Sequence, residues 1–221
     1  GDGMEDILVG NLGLNSKLKA SPEKPVWLYH GDFDENGQAD PLIFHYMEGH
    51  LVPFATRDDL IKQIPGIKRK HPNYVEYSKI KSPEDLLEKS QIEKASKYQV
   101  SELRSGILWN QGEKGFEFSE FPIEAQFSPL HGFTSFQSNG IQYLLGIGNF
   151  HAFRNDFGKA DAQALVLMKF ENGIWKWVPI GLTANSFWGE FRHISKIIID
   201  GKETLIAVRN NAPPVFLQIK P

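Results

Sequence analysis

Short apolar runs, separated by residues that favour turns, make up most of the chain. Phe116–Phe121 largely alternates apolar and polar residues, which is typical of a strand with one exposed face. Asn172-Gly173 stands between the apolar runs 164–170 and 174–178, and this dipeptide is the strongest short signal for a β-hairpin. The pattern therefore predicts a mainly β protein.

The hydrophobic period changes to that of a helix after Thr56. Thr56–Asp59 resembles a capping box, and Ser82 followed by Pro83 is a second helix start. The apolar positions of the two helices are Leu60, Ile61 and Ile64 for the first and Leu86, Leu87 and Ile92 for the second. We therefore expect residues 55–104 to form a helical insertion, which either binds a partner or covers a sheet edge.

The same kind of strand ending recurs along the chain. Three apolar runs, ending in Asn11, Asn149 and Asn210, read Ile-Leu-Val-Gly-Asn, Leu-Gly-Ile-Gly-Asn and Ile-Ala-Val-Arg-Asn. Repeats of about 40–60 residues with about four strands each are typical of propeller blades. The sequence predicts that residues 1–221 form one domain, a partial β-propeller of about three to four four-stranded blades. Open blade edges would then pair with further blades or with another copy of the chain.

One loop has the composition of a calcium site. Residues 32–40 read Asp-Phe-Asp-Glu-Asn-Gly-Gln-Ala-Asp, with a glycine that allows a tight turn. Ca²⁺ takes six to eight oxygen ligands, which acids and amides at alternate positions of such a loop supply. The predicted ligands are the side chains of Asp32, Asp34, Asn36 and Asp40 and the main-chain carbonyl of Gln38. The alternative is a solvated turn without metal.

The residues around this loop exclude a helix–loop–helix calcium site. That motif needs a bidentate Glu at position 12 of the loop, and Ile43 stands there. The flanking runs Val26–Tyr29 and Pro41–Tyr46 are rich in residues that favour strands. We therefore expect the ion to hold a turn between two strands.

The loop resembles the calcium loop of FG-GAP/VCBS repeats, the blades of integrin-α-like β-propellers. Segments 6–16 and 54–60 are also similar to the C-terminal part of secreted bacterial VCBS-repeat proteins. This resemblance implies a structural Ca²⁺ ion and an extracellular, cell-surface or periplasmic location. Residues 2–6 match the last five positions of the loop, which suggests that the chain begins inside a repeat and leaves open whether Asp2 and Asp6 bind a second ion.

Composition narrows the classes of partner. A net charge of −3 argues against a nucleic-acid partner, because such a surface usually carries a basic excess. The chain has no cysteine, so it has neither disulfides nor thiolate metal sites. No apolar run is long enough to span a membrane.

Two further segments carry candidate binding residues. They contribute His151, Arg154, Asp156 and Asp161 from one loop and Trp188 and Arg192 from the other. Such a set could bind a sugar or hold an acid/base pair, although phenylalanines that pin the first loop to the core would also explain it. No G-x-S-x-G, P-loop or H-E-x-x-H signature is present. The prediction is a calcium-stabilised, non-catalytic binding module for a glycan or protein ligand. The alternative is a polysaccharide-active hydrolase or lyase.

Overall fold

The computed structural model describes residues 3–153, 158–180 and 187–218. Its strands are β1 (Ile7–Val9), β2 (Val26–Gly31), β3 (Asp40–Met47), β4 (His50–Pro53), β5 (Ser96–Val100), β6 (Gly106–Asn110), β7 (Phe116–Glu120), β8 (Leu130–Ser138), β9 (Ile141–Gly148), β10 (Leu165–Glu171), β11 (Ile174–Val178), β12 (Phe191–Ile199), β13 (Lys202–Arg209) and β14 (Ala212–Gln218). Its helices are α1 (Arg57–Gln63), α2 (Ile67–Lys70), α3 (Tyr74–Tyr77), α4 (Pro83–Leu86) and α5 (Lys89–Lys94). The prediction of a mainly β protein is confirmed.

The strands form four antiparallel sheets, and the chain divides into two compact units. One unit spans residues 17–103 and contains the sheet β4-β3-β2-β5 together with all five helices. The other combines residues 1–16 with 104–221 and contains the sheets β1-β6-β7, β11-β10-β9-β8 and β12-β13-β14. The longest described helix, α1, has seven residues, so no helix in the described ranges could cross a bilayer.

In the unit of residues 17–103, the helices pack on one face of the sheet. Phe44 and Leu42 of β3 are fully buried in the same core as Leu60 of α1. Tyr29 of β2 meets Phe44 edge to face, with ring centroids 5.1 Å apart. The segment expected to be a helical insertion, 55–104, holds the five helices and also β5, which pairs with β2.

The helix starts that the sequence indicates are present, but the second helix is interrupted. The Thr56 hydroxyl accepts a hydrogen bond from the Asp59 amide at the start of α1, and the Ser82 amide donates to Asp85 Oδ2 at the start of α4. Instead of continuing to Ile92, α4 ends before Leu87, whose backbone is extended. The Glu88 amide then donates to Gln91 Oε1, which starts α5 separately.

In the other unit, β9 separates two hydrophobic cores. Successive side chains of a strand point to opposite faces of its sheet. Leu144 accordingly belongs to the core around Ile107 and Met168, whereas Leu145 belongs to the core around Phe191 and Leu205. This explains why the run 144–148 is buried at every position.

Four hairpins share one kind of turn. Each is closed by a two-residue loop in which both residues have positive φ, the geometry of a type I′ turn. The loops are Glu48-Gly49, Asn139-Gly140, Asn172-Gly173 and Asp200-Gly201. The predicted hairpin at Asn172-Gly173 is confirmed.

The repeated strand endings include two glycines that contact the same segment. A Cβ atom on Gly10 would lie 2.1 Å from the Leu130 carbonyl oxygen, and one on Gly148 would lie 1.7 Å from that of Pro129. These distances are far below van der Waals contact, so both positions require glycine. The third repeat has Arg209 at this position, and its side chain donates to the carbonyl of Trp188.

Candidate metal centre and binding cluster

The aspartate-rich loop connects β2 to β3, as the sequence predicts. Gly31 at the end of β2 pairs with Asp40 at the start of β3, so residues 32–39 form the turn. The two Asp32 carboxylate oxygens accept hydrogen bonds from the amides of Asn36 (3.0 Å) and Gly37 (2.8 Å). Glu35 and Gly37 have φ of 59° and 87°, which allows the chain to curl around these acceptors.

Three carboxylates of this loop come together. Oxygen atoms of Asp32, Asp34 and Asp40 all lie within 4.8 Å of one another. Ligands on opposite sides of a Ca²⁺ ion are about 5 Å apart, because each lies about 2.3–2.6 Å from the ion. Three carboxylates this close also repel one another unless a cation lies between them. The spacing of the donors therefore fits Ca²⁺.

Asp34 supplies a second indication of a ligand. Its Oδ1 atom is buried and has no hydrogen-bond partner within the described residues. A buried acceptor without a donor is unfavourable, and such atoms commonly face a water molecule or an ion. An ion bound to Asp34 Oδ1 would give this oxygen the partner that it lacks among the described residues.

Asn36, whose side chain is a predicted ligand, takes part in the loop's own hydrogen bonds through that same side-chain oxygen. Asn36 Oδ1 accepts from the amide of Gln38 at 2.8 Å, and both residues are exposed. An amide oxygen has two lone pairs, so Asn36 keeps the capacity to bind a metal. Ile43 lies within β3 opposite Leu28, in a strand where the helix–loop–helix motif would need a helix.

Asp6 has a structural partner of its own. Its Oδ1 accepts a hydrogen bond from the amide of Asn110 at 2.9 Å, beside the pairing of β1 with β6. Asp2 lies outside the described residues. Whether the two residues bind an ion together therefore stays an open question from the sequence.

A second cluster surrounds Glu190, which is 4 % exposed. Its carboxylate accepts hydrogen bonds from Asn210 Nδ2 (2.9 Å), from the His151 amide (3.2 Å) and from Arg192 Nη2. Burial opposes ionisation of this group, but these donors and the Arg192 charge outweigh it and lower its pKa. Glu190 is thus a buried, ionised anchor for three chain segments.

His131 lies at the edge of this cluster. Its Nε2 is 3.1 Å from the carbonyl oxygen of Asn149 and 3.2 Å from Arg192 Nη1. Partial burial, and then the positive charge of Arg192, lower the pKa of His131. A neutral ring nitrogen can donate to the carbonyl or accept from the guanidinium, but not both at once.

The structure brings some of the predicted binding residues together. His151 and Arg192 both contact Glu190, and His151 Nε2 lies 3.7 Å from Asp161 Oδ2, which is longer than a hydrogen bond. The Trp188 carbonyl accepts from Arg209 Nη1 at 2.9 Å. Arg154 and Asp156 lie outside the described residues.

Sequence reasoning missed Glu190, which has no distinctive neighbours along the chain. It also missed the roles of Asn149 and Asn210. Asn149 Nδ2 donates to the Gly189 carbonyl and Asn210 Nδ2 donates to Glu190, so two of the repeated asparagines contact the same short segment. The repetition of an asparagine after each of these strands is therefore a sequence signal for this cluster.

Comparison of the chain with protein-family models, with curated proteins and with solved structures finds no match. The resemblance to FG-GAP/VCBS repeats therefore remains a prediction, based on the aspartate-rich loop and on segments 6–16 and 54–60. The function has to be inferred from the geometry of the two clusters.

Proposed function

We propose that this protein is a calcium-stabilised extracellular binding module with no catalysis of its own. The observation that carries the proposal is the triad of Asp32, Asp34 and Asp40, with oxygens within 4.8 Å of one another and a buried Asp34 oxygen that has no donor in the described part of the chain. The resemblance to FG-GAP/VCBS repeats adds the extracellular location and the binding role.

The proposed role of the ion is structural. It would neutralise the mutual repulsion of three carboxylates and hold the turn between β2 and β3. Asp40 connects that turn to the hydrophobic core, because it accepts from the amide of the buried Phe33. Binding to the folded state alone would add about 2.7 kcal/mol of stability at a Ca²⁺ concentration a hundred times the Kd.

We propose that the sheets are blades of a β-propeller. Support comes from four open antiparallel sheets of three or four strands and from the repeated Gly-Asn endings at Gly10 and Gly148. Open sheets have edge strands with unpaired backbone groups. Such edges would pair with additional blades or with a second copy of the chain, which sedimentation at increasing protein concentration would detect.

The metal proposal is tested by thermal unfolding of the chain in EDTA, in Ca²⁺ and in Mg²⁺. We expect Ca²⁺ to raise the Tm by several degrees. Mg²⁺ should raise it less, because it requires shorter bonds and keeps its own water ligands. Equal melting in all three solutions would contradict the metal proposal.

The alternative is a polysaccharide-active hydrolase or lyase. It rests on His151 and Asp161, which bring an imidazole within 3.7 Å of a half-exposed carboxylate. Incubation with a panel of glycans separates the two proposals. Release of shortened products that stops in Asp161→Asn would favour the enzyme, whereas binding without products would favour the module.

A further inference from the structure

Several chain segments meet at Glu190 and hold one another in place. Asn149 follows β9, and its Nδ2 donates to the Gly189 carbonyl at 3.0 Å. The amide of Asn210, which follows β13, donates to the Glu190 carbonyl at 2.8 Å. Phe150 and Ala160 exchange two backbone hydrogen bonds of 2.8 Å, which close the base of the loop between them. The cluster therefore has a backbone fixed by its own hydrogen bonds.

Two polar atoms of this cluster are buried without partners among the described residues. They are Asn149 Oδ1, in a residue that is 2 % exposed, and His151 Nε2. Asn149 also has φ of 79°, a left-handed conformation that is unusual outside glycine. Burying a polar atom without a hydrogen bond is unfavourable, and backbone strain of this kind concentrates at binding sites. Among the described residues, Asn149 Oδ1 therefore lacks a donor, and His151 Nε2 lacks either a donor or an acceptor.

An exposed aromatic residue directly precedes Gly189 and Glu190, the two residues that Asn149 and His151 contact. Trp188 is 64 % exposed and immediately precedes Gly189, the residue that Asn149 contacts. The Arg209 guanidinium lies 5.7 Å from the centre of the Trp188 ring while it donates to the Trp188 carbonyl. A large, rigid ring left in solvent is a typical anchor for a ligand.

We infer that Asn149 and His151, together with Trp188 at the start of the segment that both contact, bind a neutral saccharide. A sugar hydroxyl can donate to Asn149 Oδ1, and another can either donate to or accept from His151 Nε2. The apolar face of a pyranose ring can stack on Trp188. Glu190 and Arg192 compensate each other through their ion pair. The Asp161 carboxylate beside His151 and the Arg209 guanidinium beside Trp188 carry one further charge of each sign, so these four groups sum to zero and favour neither an anionic nor a cationic ligand. This inference rests on the proposed function, because it names the ligand class of the binding module.

The test uses the full chain, a panel of neutral oligosaccharides from glucan, xylan, mannan and chitin, and titration calorimetry with the oligosaccharide that binds best. We expect binding, and we expect Trp188→Ala to weaken it about tenfold or more. Trp177→Ala is the matched control, because Trp177 is also exposed (40 %) but lies on β11. That variant should bind as the unchanged protein does.

A second variant tests the buried acceptor. Asn149→Gly removes Oδ1 in a residue type that tolerates positive φ, and its melting curve reports whether the fold survives. A folded Asn149→Gly protein that binds the saccharide less tightly supports the inference. Absence of binding to every oligosaccharide of the panel overturns it, and so does binding that Trp188→Ala leaves unchanged. Because calcium-dependent melting is measured separately, failure of the saccharide site is distinguishable from failure of the metal proposal.

Discussion

The amide of Phe33 donates to Asp40 Oδ2 over 3.0 Å, and both residues are 4 % exposed. Asp40 is therefore at once a member of the acidic triad and the hydrogen-bond acceptor that connects the loop to the core. Phe33 packs among the buried residues of the same unit, including Phe44. A change that removes the acceptor at Asp40 consequently affects stability with or without a metal.

Asp40→Ala should destabilise the protein even in EDTA. The change leaves the buried Phe33 amide without its acceptor, which costs about 1–3 kcal/mol. Urea unfolding in EDTA measures this loss. Asp40→Asn is the control, because its side-chain oxygen can still accept from Phe33. If both variants unfold at the same urea concentration as the unchanged protein, this hydrogen bond does not stabilise the loop.

Asp34→Ala should lower the Tm in calcium but not in EDTA. In Ca²⁺ the variant loses a ligand and should melt several degrees lower, so most of the difference between Ca²⁺ and EDTA disappears. In EDTA it relieves repulsion within the triad and should melt at the same temperature or higher. Glu35→Gln is the matched control, since it removes a charge from the same loop but lies outside the triad. A full calcium response in Asp34→Ala would argue against the site.

Glu190 should make the protein sensitive to acid. Its pKa is lowered in the folded protein from an ordinary value of 4.5, so the unfolded chain binds more protons in acid. The stability that Glu190 contributes is therefore complete above about pH 4.5 and is lost as the pH falls through its folded pKa. Denaturant unfolding between pH 3 and pH 7 measures this dependence.

Glu190→Gln tests the origin of that acid sensitivity. It should cost about 1.5–3 kcal/mol at pH 7, because charge-assisted hydrogen bonds are lost, and its stability should depend less on pH below 4.5. Glu117→Gln, on the exposed strand β7, serves as the surface control and should keep the pH dependence of the unchanged protein. An identical pH profile for Glu190→Gln would show that other carboxylates are responsible.

Gly148→Ala should destabilise the protein strongly. The new methyl group would overlap the Pro129 carbonyl at 1.7 Å, and the strand would have to move away at a cost of about 1–3 kcal/mol or more. Gly66→Ala is the control, because Gly66 has φ of −59° and, apart from its chain neighbours, no atom of the described residues lies within 4 Å of the added methyl. It should be neutral or slightly stabilising. Thermal unfolding of the two variants and of the unchanged protein gives the Tm values to compare.

The features that the sequence predicted well depend on residues that are close together in the sequence. The Asn172-Gly173 turn follows from the positive φ that these residues tolerate, and Thr56 starts α1 by bonding an amide three residues away. The side-chain acceptors of the aspartate-rich loop are equally local, since Asp32, Asn36 and Asp40 accept from amides between residues 33 and 38. The Phe33 carbonyl, by contrast, accepts from the distant Gln91 side chain. In the local cases the partners are fixed by sequence spacing, so the pattern alone carries the information.

Other features depended on residues that are distant in the sequence. The break between α4 and α5 occurs at Leu87, which is buried in the core while its backbone is extended, so tertiary packing outweighs the helical pattern there. Glu190 acquires its role only because His151 and Asn210 arrive from other segments.

The sequence by itself determined the strand-rich class, the turns, the helix starts and the acidic loop between β2 and β3, because each follows from contacts a few residues apart. Only the tertiary structure decided which strands share a sheet, that Gly10 and Gly148 contact one segment, and that Asn149, His151 and Glu190 form a cluster. The physical reason is that burial and long-range hydrogen bonds depend on how the chain packs, and residue order does not encode that packing in a local pattern.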